Sequence, residues 1–183
     1  SPERQAERSA LIVGSHKADG AASIALNLAL AAVANGERVL LIDADAVHRT
    51  LSTLVAPGAQ IGLMEVLAGH ASLKDALVGD APGGFQALPM AARAGAWRGR
   101  PSREAFERLI ALARQGFDYV MIVGAPLADE PDARAIAEAV DQVALVLRTG
   151  ETRRGGIASA LRALRIRGEK TCGIVLTMAG TAA

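Results

Sequence analysis

Six apolar runs of strand length, separated by stretches with helical patterning, constrain this chain more than any of its other features. The runs are Ala10–Val13, Val39–Ile42, Phe85–Leu88, Tyr119–Val123, Val143–Leu147 and Gly173–Leu176. Helical patterns lie between them at Gly20–Ala34, Leu63–Ala68, Ser72–Leu77, Ser102–Gln115, Pro131–Ala139 and Thr152–Leu164. Strands that are apolar at consecutive positions, not at every second one, are buried on both faces. Such strands alternating with helices predict a mostly parallel sheet covered by helices on both sides, an α/β three-layer sandwich. Punctuation agrees with this: Ser102, with Glu104 two residues on, suits a helix cap, Gly36 ends a helix, and Pro131 suits a first helical turn.

At 183 residues, 51% of them apolar, the chain is long enough to bury one sizeable core. One domain over 9–183, preceded by a flexible segment at 1–8, is the expected organisation. The formal net charge of +1 gives no general reason to expect nucleic acid or an anionic membrane as partner. Of twenty basic residues only Lys17, Lys74 and Lys170 are lysines. The lone cysteine, Cys172, makes no internal disulfide and no cysteine metal site, which fits a reducing cytoplasm. No apolar stretch of membrane-spanning length lacks interruption by Gly, Asn or charge, the nearest being Ile24–Ala34, which carries Asn27 and stops at Asn35-Gly36. A start at Ser1 and not at Met suggests a piece of a longer polypeptide.

The first strand runs into Gly14-Ser-His-Lys-Ala-Asp-Gly-Ala-Ala-Ser23 and then a helix. A strand, a glycine-bearing loop and a helix start form a phosphate cradle, because main-chain N–H groups and the helix N-terminus converge on one point. The lysine expected after the final glycine is Ala21. The cradle is therefore present and its charge is absent.

Several motifs in one order make the chain similar to the bacterial tyrosine kinases of capsule and exopolysaccharide assembly, relatives of the ParA and MinD ATPases. Gly20-Ala21-Ala22-Ser23 leading into Asn27-Leu28-Ala29 resembles the family's Gly-Lys-Ser/Thr loop and Asn-Leu-Ala helix. Val39-Leu-Leu-Ile-Asp43-Ala-Asp45-Ala-Val47 resembles a strand ending Asp-x-Asp-x-Arg. Gly62-Leu-Met-Glu-Val-Leu-Ala-Gly69, Ser72-Leu73 and Leu88-Pro89 follow as in the exopolysaccharide kinases, and Phe117-Asp-Tyr-Val-Met-Ile-Val-Gly-Ala-Pro126 resembles Tyr-Asp-x-Val-Ile-Ile-Asp-Thr-Pro-Pro. Asp132-Ala133, Val140-Asp141 and Gly173-Ile-Val-Leu complete a resemblance running from about residue 9 to 178. It implies a P-loop NTPase-like fold.

The departures fall on the groups that phosphoryl transfer uses. The phosphate-binding lysine, the Mg²⁺-ligating hydroxyl and the second-strand carboxylate are replaced by Ala21, Ala22 and Val123. The family's arginine is Val47, and its Asn after the last strand is Thr177. No catalytic residue and no metal ligand is expected. Gly20, Ser23, Asp43 and Asp45 remain as a vestigial nucleotide site. The aspartates are read either as a residual Mg²⁺ or water-activating pair or, preferred, as solvated carboxylates at a strand end. Lys17, on its mobile stem, is a further candidate for phosphate, aided by Ser23 or His16; otherwise it and His16 are solvent-facing. Tyr119 reads as a sheet residue and not as a phosphorylation site. Trp97 among Arg93, Arg98, Arg100 and Arg103, in a mobile loop Ala91–Pro101, reads equally as an interface or as a loop packed on its own domain. A second basic set, Arg148, Arg153, Arg154, Arg162, Arg165 and Arg167, reads as an ordinary solvated face.

The resulting expectation is a catalytically degenerate, kinase-like regulatory or scaffolding component of exopolysaccharide polymerisation and export. It would lie in the cytoplasm at the inner face of the cell membrane. Its partners would be proteins of a polysaccharide assembly complex, among them a membrane co-polymerase and an active kinase, or a second copy of itself, with no nucleic acid. No cofactor is expected. Two alternatives stay open: a weak ATP- and Mg²⁺-dependent tyrosine kinase or ATPase with a rearranged site, and a ParA/MinD-like positioning protein on DNA or membrane.

Overall fold

In the computed structural model, residues 9–79, 84–92, 101–127, 133–150, 161–162, 164 and 171–177 are described. Segment 1–8, Pro131, Asp132, Trp97, Arg93, Arg98, Arg100, Arg153, Arg154, Arg165, Arg167 and most of the helix expected at 152–164 lie outside them. Six strands form one sheet: β1 (Ser9–Gly14), β2 (Val39–Ala44), β3 (Gln86–Leu88), β4 (Tyr119–Gly124), β5 (Gln142–Arg148) and β6 (Thr171–Thr177). Each expected apolar run lies in or across one of them. The strand order is β3-β2-β4-β1-β5-β6, and every ladder is parallel.

Successive residues of each central strand serve opposite faces. Leu11, Val13, Leu40, Ile42, Val120, Ile122, Leu145 and Leu147 join one core, against α3 (Leu63–Leu67), α4 (Leu73–Ala76), α5 (Arg103–Ala113) and α6 (Ala133–Ala139). Ile12, Val39, Leu41, Val123 and Val146 join the other, against α1 (Ala21–Ala34) and α2 (Thr50–Val55). This two-sided burial is what the unbroken apolar runs demanded, and the architecture is the α/β sandwich expected.

Helix ends follow local chemistry. The Ser102 hydroxyl caps α5 by accepting from the Ala105 amide at 3.3 Å, and Gly36, at φ +80°, ends α1 in a conformation that costs a glycine nothing. A 3-10 turn at Lys17–Asp19 and α1 together make an 18-residue stretch, Lys17–Ala34, long and apolar enough to cross a membrane by composition. It carries Lys17, Asp19, Gly20 and Asn27, the interruptions by charge, Gly and Asn read from the sequence. Ala22, Ala25 and Ala29 bury one side of it against the sheet, as a sheet-covering helix does.

Two carboxylates pin the amino-terminal ends of the strands. Asp118 accepts from the Arg38 amide at 2.9 Å and from its guanidinium at 2.9 and 3.1 Å. Asp141 accepts from the Ser9 amide at 2.9 Å, the Ser9 hydroxyl at 2.7 Å and the Arg114 guanidinium. Burial pushes the Asp141 carboxyl up, but Ser9 and Arg114 outweigh it and hold the group below its ordinary value. At the other pole Gly62 packs so closely that a Cβ there would lie 2.1 Å from the Pro89 carbonyl oxygen and 2.7 Å from the Ala91 nitrogen, both main chain.

Gly62→Ala is therefore expected to destabilise by about 1–3 kcal/mol, whereas Gly58→Ala, whose Cβ meets nothing within 4 Å, stays within about 0.5 kcal/mol of wild type in urea unfolding. A carboxyl held low in the folded state adds stability above its ordinary pKa and loses it as pH falls through the folded value. Asp141→Asn should cost about 1–2 kcal/mol at pH 7, with the gap to wild type closing in denaturation curves recorded below about pH 4.

Candidate functional site

In a parallel sheet the place for a ligand is the crevice beyond the carboxyl ends of the strands, where successive connections leave in opposite directions. Here β1 connects towards β2 on one side and β5 towards β6 on the other, so that point lies above β1 and β5. The loop after β1 occupies it. Gly20 adopts φ +84° and passes the chain into α1, with the Ile24 amide donating to its carbonyl at 3.0 Å. The glycine is needed at that backbone conformation.

The three replaced positions come together. Ala21 and Ala22 open α1, and Val123, 3% exposed, is the last residue but one of β4. Ala22 and Val123 belong to one apolar cluster, and Ala21 packs against it. Asp43 pairs in register with Val123 on the neighbouring strand, so the two side chains share the α1 face of the sheet. None of the three apolar side chains can ligate a metal or neutralise a phosphate. Ser23 is exposed, as are His16 and Lys17, which agrees with the solvent-facing reading of the latter two.

Asp43 and Asp45 differ from the reading that preferred solvated strand-end carboxylates: they are 0% and 4% exposed. One Asp43 oxygen accepts from the Ser52 amide at 2.7 Å and the Ser52 hydroxyl at 2.6 Å, and the other from the Asp45 amide at 3.0 Å. Burial raises its pKa, opposed by the Ser52 hydroxyl, the Ser52 amide and the Asp45 amide. Asp45 accepts from the Val47 and His48 amides at 3.0 and 2.8 Å and so shapes the turn that follows β2. Both oxygens of Asp43 and one of Asp45 thus accept from their own chain.

The Asp43 contacts extend outward through residues that motif reading missed. The Ser52 oxygen accepts from the Met90 amide at 2.8 Å, while the Arg49 guanidinium donates to the Met90 carbonyl at 2.9 and 3.0 Å. Arg49 does this from a left-handed conformation, φ 50°, which costs a non-glycine residue about 1–2 kcal/mol. Asp43, Ser52 and Arg49 thus clamp both main-chain groups of Met90, just beyond β3. Thr177, where the family has Asn, is also engaged, its hydroxyl donating to the Asp19 carbonyl at 3.0 Å. Tyr119 lies in β4, as expected of a sheet residue.

No family model matches the chain. In sequence it is 32% identical over 163 residues to the succinoglycan biosynthesis transport protein ExoP of Rhizobium meliloti, across 86% of this chain but 20% of that protein. It is 28% identical over 166 residues to the tyrosine-protein kinase CpsD of Streptococcus agalactiae, across 90% of this chain and 72% of the kinase. Among solved structures, the VpsO kinase domain superposes with TM-score 0.79 at 25% identity, covering 96% of this chain and 87% of that one. ParA-type ATPases share the fold.

Ser52→Ala and Asp43→Ala should each lower stability by about 1–3 kcal/mol, since each strips a buried group of its partner, and Mg²⁺ should change neither curve. The raised folded pKa makes wild type gain stability as pH falls through that value. Urea titrations across the acid range should show the gain in wild type and its loss in Asp43→Ala.

Proposed function

Since this chain is a homologue of the bacterial tyrosine kinases of capsule and exopolysaccharide assembly, with their P-loop type of fold, we propose that it is a catalytically degenerate member of that group. In this reading it acts as a regulatory or scaffolding module in polysaccharide polymerisation and export. It would work on the cytoplasmic side of the membrane, among protein partners that include a co-polymerase and an active kinase. The whole-protein role is inferred across a partial match, because the chain spans 20% of the succinoglycan transport protein.

One observation carries the proposal: the three positions that would supply cation, hydroxyl and carboxylate are Ala21, Ala22 and Val123, and they fill an apolar cluster. Phosphoryl transfer is driven by positioning and electrostatic stabilisation, and loss of a single preorganised donor costs about a hundred- to a thousandfold in rate. Three losses in one site leave little for the remaining groups to do. Asp43 is a poor replacement, since Ser52 and a main-chain amide take three of the roughly four acceptor sites of its carboxylate. Lys17 is the one charged group on the loop exposed toward solvent with reach.

The test is calorimetric titration with ATP and Mg²⁺ of wild type, Lys17→Ala, and a triple variant Ala21→Lys, Ala22→Ser, Val123→Asp. Wild type and Lys17→Ala should show equal, negligible heats, and the triple variant should show saturable binding of ATP with Mg²⁺. Saturable Mg²⁺-nucleotide binding or tyrosine phosphorylation by wild type, abolished in Asp43→Ala, would refute degeneracy.

A further inference from the structure

The glycine loop carries a buried carboxylate that the comparison with phosphate-binding motifs leaves without a role. Asp19 is 2% exposed. One of its oxygens accepts from the His16 amide at 2.7 Å, and the Asp19 amide returns a bond to the His16 carbonyl at 3.1 Å, closing the loop on itself. Its second oxygen accepts from the Arg148 amide at 3.2 Å, at the end of β5. Its carbonyl accepts from the Thr177 hydroxyl at 3.0 Å, at the end of β6, and that hydroxyl also reaches the Leu147 carbonyl at 3.3 Å.

The fit around the residue is close. A Cβ at Gly14 would stand 3.1 Å from the Asp19 Cβ and 2.8 Å from the His16 carbonyl oxygen, so the loop folds back onto β1 with space for a glycine only. The Leu127 amide, beyond β4, donates to the Gly14 carbonyl at 3.0 Å and ties the opposite side. The loop is thus bonded to the carboxyl ends of strands on both sides of β1.

We propose that Asp19 is an internal latch that fixes the loop after β1 in one shape without any bound anion. In nucleotide-switched proteins a phosphate orders such segments, and they relax when it leaves. Here the Asp19 carboxylate gathers the donors instead, the loop's own His16 amide and the Arg148 amide at the end of β5, while the Asp19 main-chain carbonyl takes the Thr177 hydroxyl at the end of β6. The loop consequently has one state, and a partner docking on this pole meets the same surface at all times. The inference rests on the geometry of the latch and not on the degeneracy of the nucleotide site.

Amide hydrogen exchange on the nucleotide-free protein tests it. The His16 and Arg148 amides of wild type should exchange more than about a hundredfold slower than in an unstructured peptide. In Asp19→Ala they should speed up by about ten- to a hundredfold, with Leu41 and Ile122 in the central strands unchanged. Should that variant fail to fold, Asp19→Asn keeps the side-chain shape but sets an NH₂ group against one of the two amides, and at least one of them should still accelerate. Unprotected loop amides in wild type, or protection unchanged in the substituted protein, would overturn the latch.

Discussion

Buried negative charge has to be met by something, and in this domain the main chain meets it. Asp19, Asp43 and Asp45 lie at the carboxyl ends of the strands with 2%, 0% and 4% of their surface exposed. Taking a carboxylate out of water costs several kcal/mol unless donors replace the lost hydration. None of the ion pairs among the described residues involves these three. Amides of His16, Arg148, Asp45, Ser52, Val47 and His48 and the Ser52 hydroxyl do the work instead. The loop after β1, the turn after β2 and the segment after β3 take their shapes from this requirement.

That arrangement decides what the crevice can do. A carboxylate holding a metal must present free lone pairs to it, and one saturated by amides and a hydroxyl has little left to give. Of the roughly four acceptor sites on the Asp43 carboxylate, the Ser52 amide, the Ser52 hydroxyl and the Asp45 amide take three. The architecture of a phosphate cradle and a set of structural hydrogen bonds are thus superimposed here.

Much of the fold was legible in the sequence because it rests on local pattern. Unbroken apolar runs such as Leu11–Val13 and Val120–Val123 can only sit between two layers, and Ser102 and Gly36 announce their caps without tertiary help. At the candidate site the sequence named positions, of which Ala21, Ala22 and Val123 share one apolar cluster. What escaped was partnership. Nothing near Asp43 in sequence reveals that Ser52, nine residues on in a six-residue helix α2 too short to show a period, turns back to meet it. Exposure was therefore misjudged for Asp43 and Asp45, because turn-forming aspartate at a strand end is solvated only when no helix folds over it. Asp19 escaped for the same reason: its partners Arg148 and Thr177 lie 129 and 158 residues away.

The pairing of Asp43 with Val123 then has a physical explanation. Asp43 and position 123 face the same side of the sheet on adjacent, directly paired strands. Two carboxylates so placed repel unless a cation or a shared proton stands between them, and burial strengthens the repulsion. With Ala21 and Ala22 supplying neither a phosphate-binding charge nor a metal-ligating hydroxyl, a second carboxylate at 123 would be an uncompensated charge against Asp43. Valine removes the repulsion and adds apolar contact with Ala22 in the same cluster. Asp43 is under no such pressure, because replacing it would leave the Ser52 amide and hydroxyl without their acceptor. Valine at 123 beside aspartate at 43 thus meets one electrostatic condition: a single carboxylate on this pair of strand ends leaves no like charge for a cation to offset.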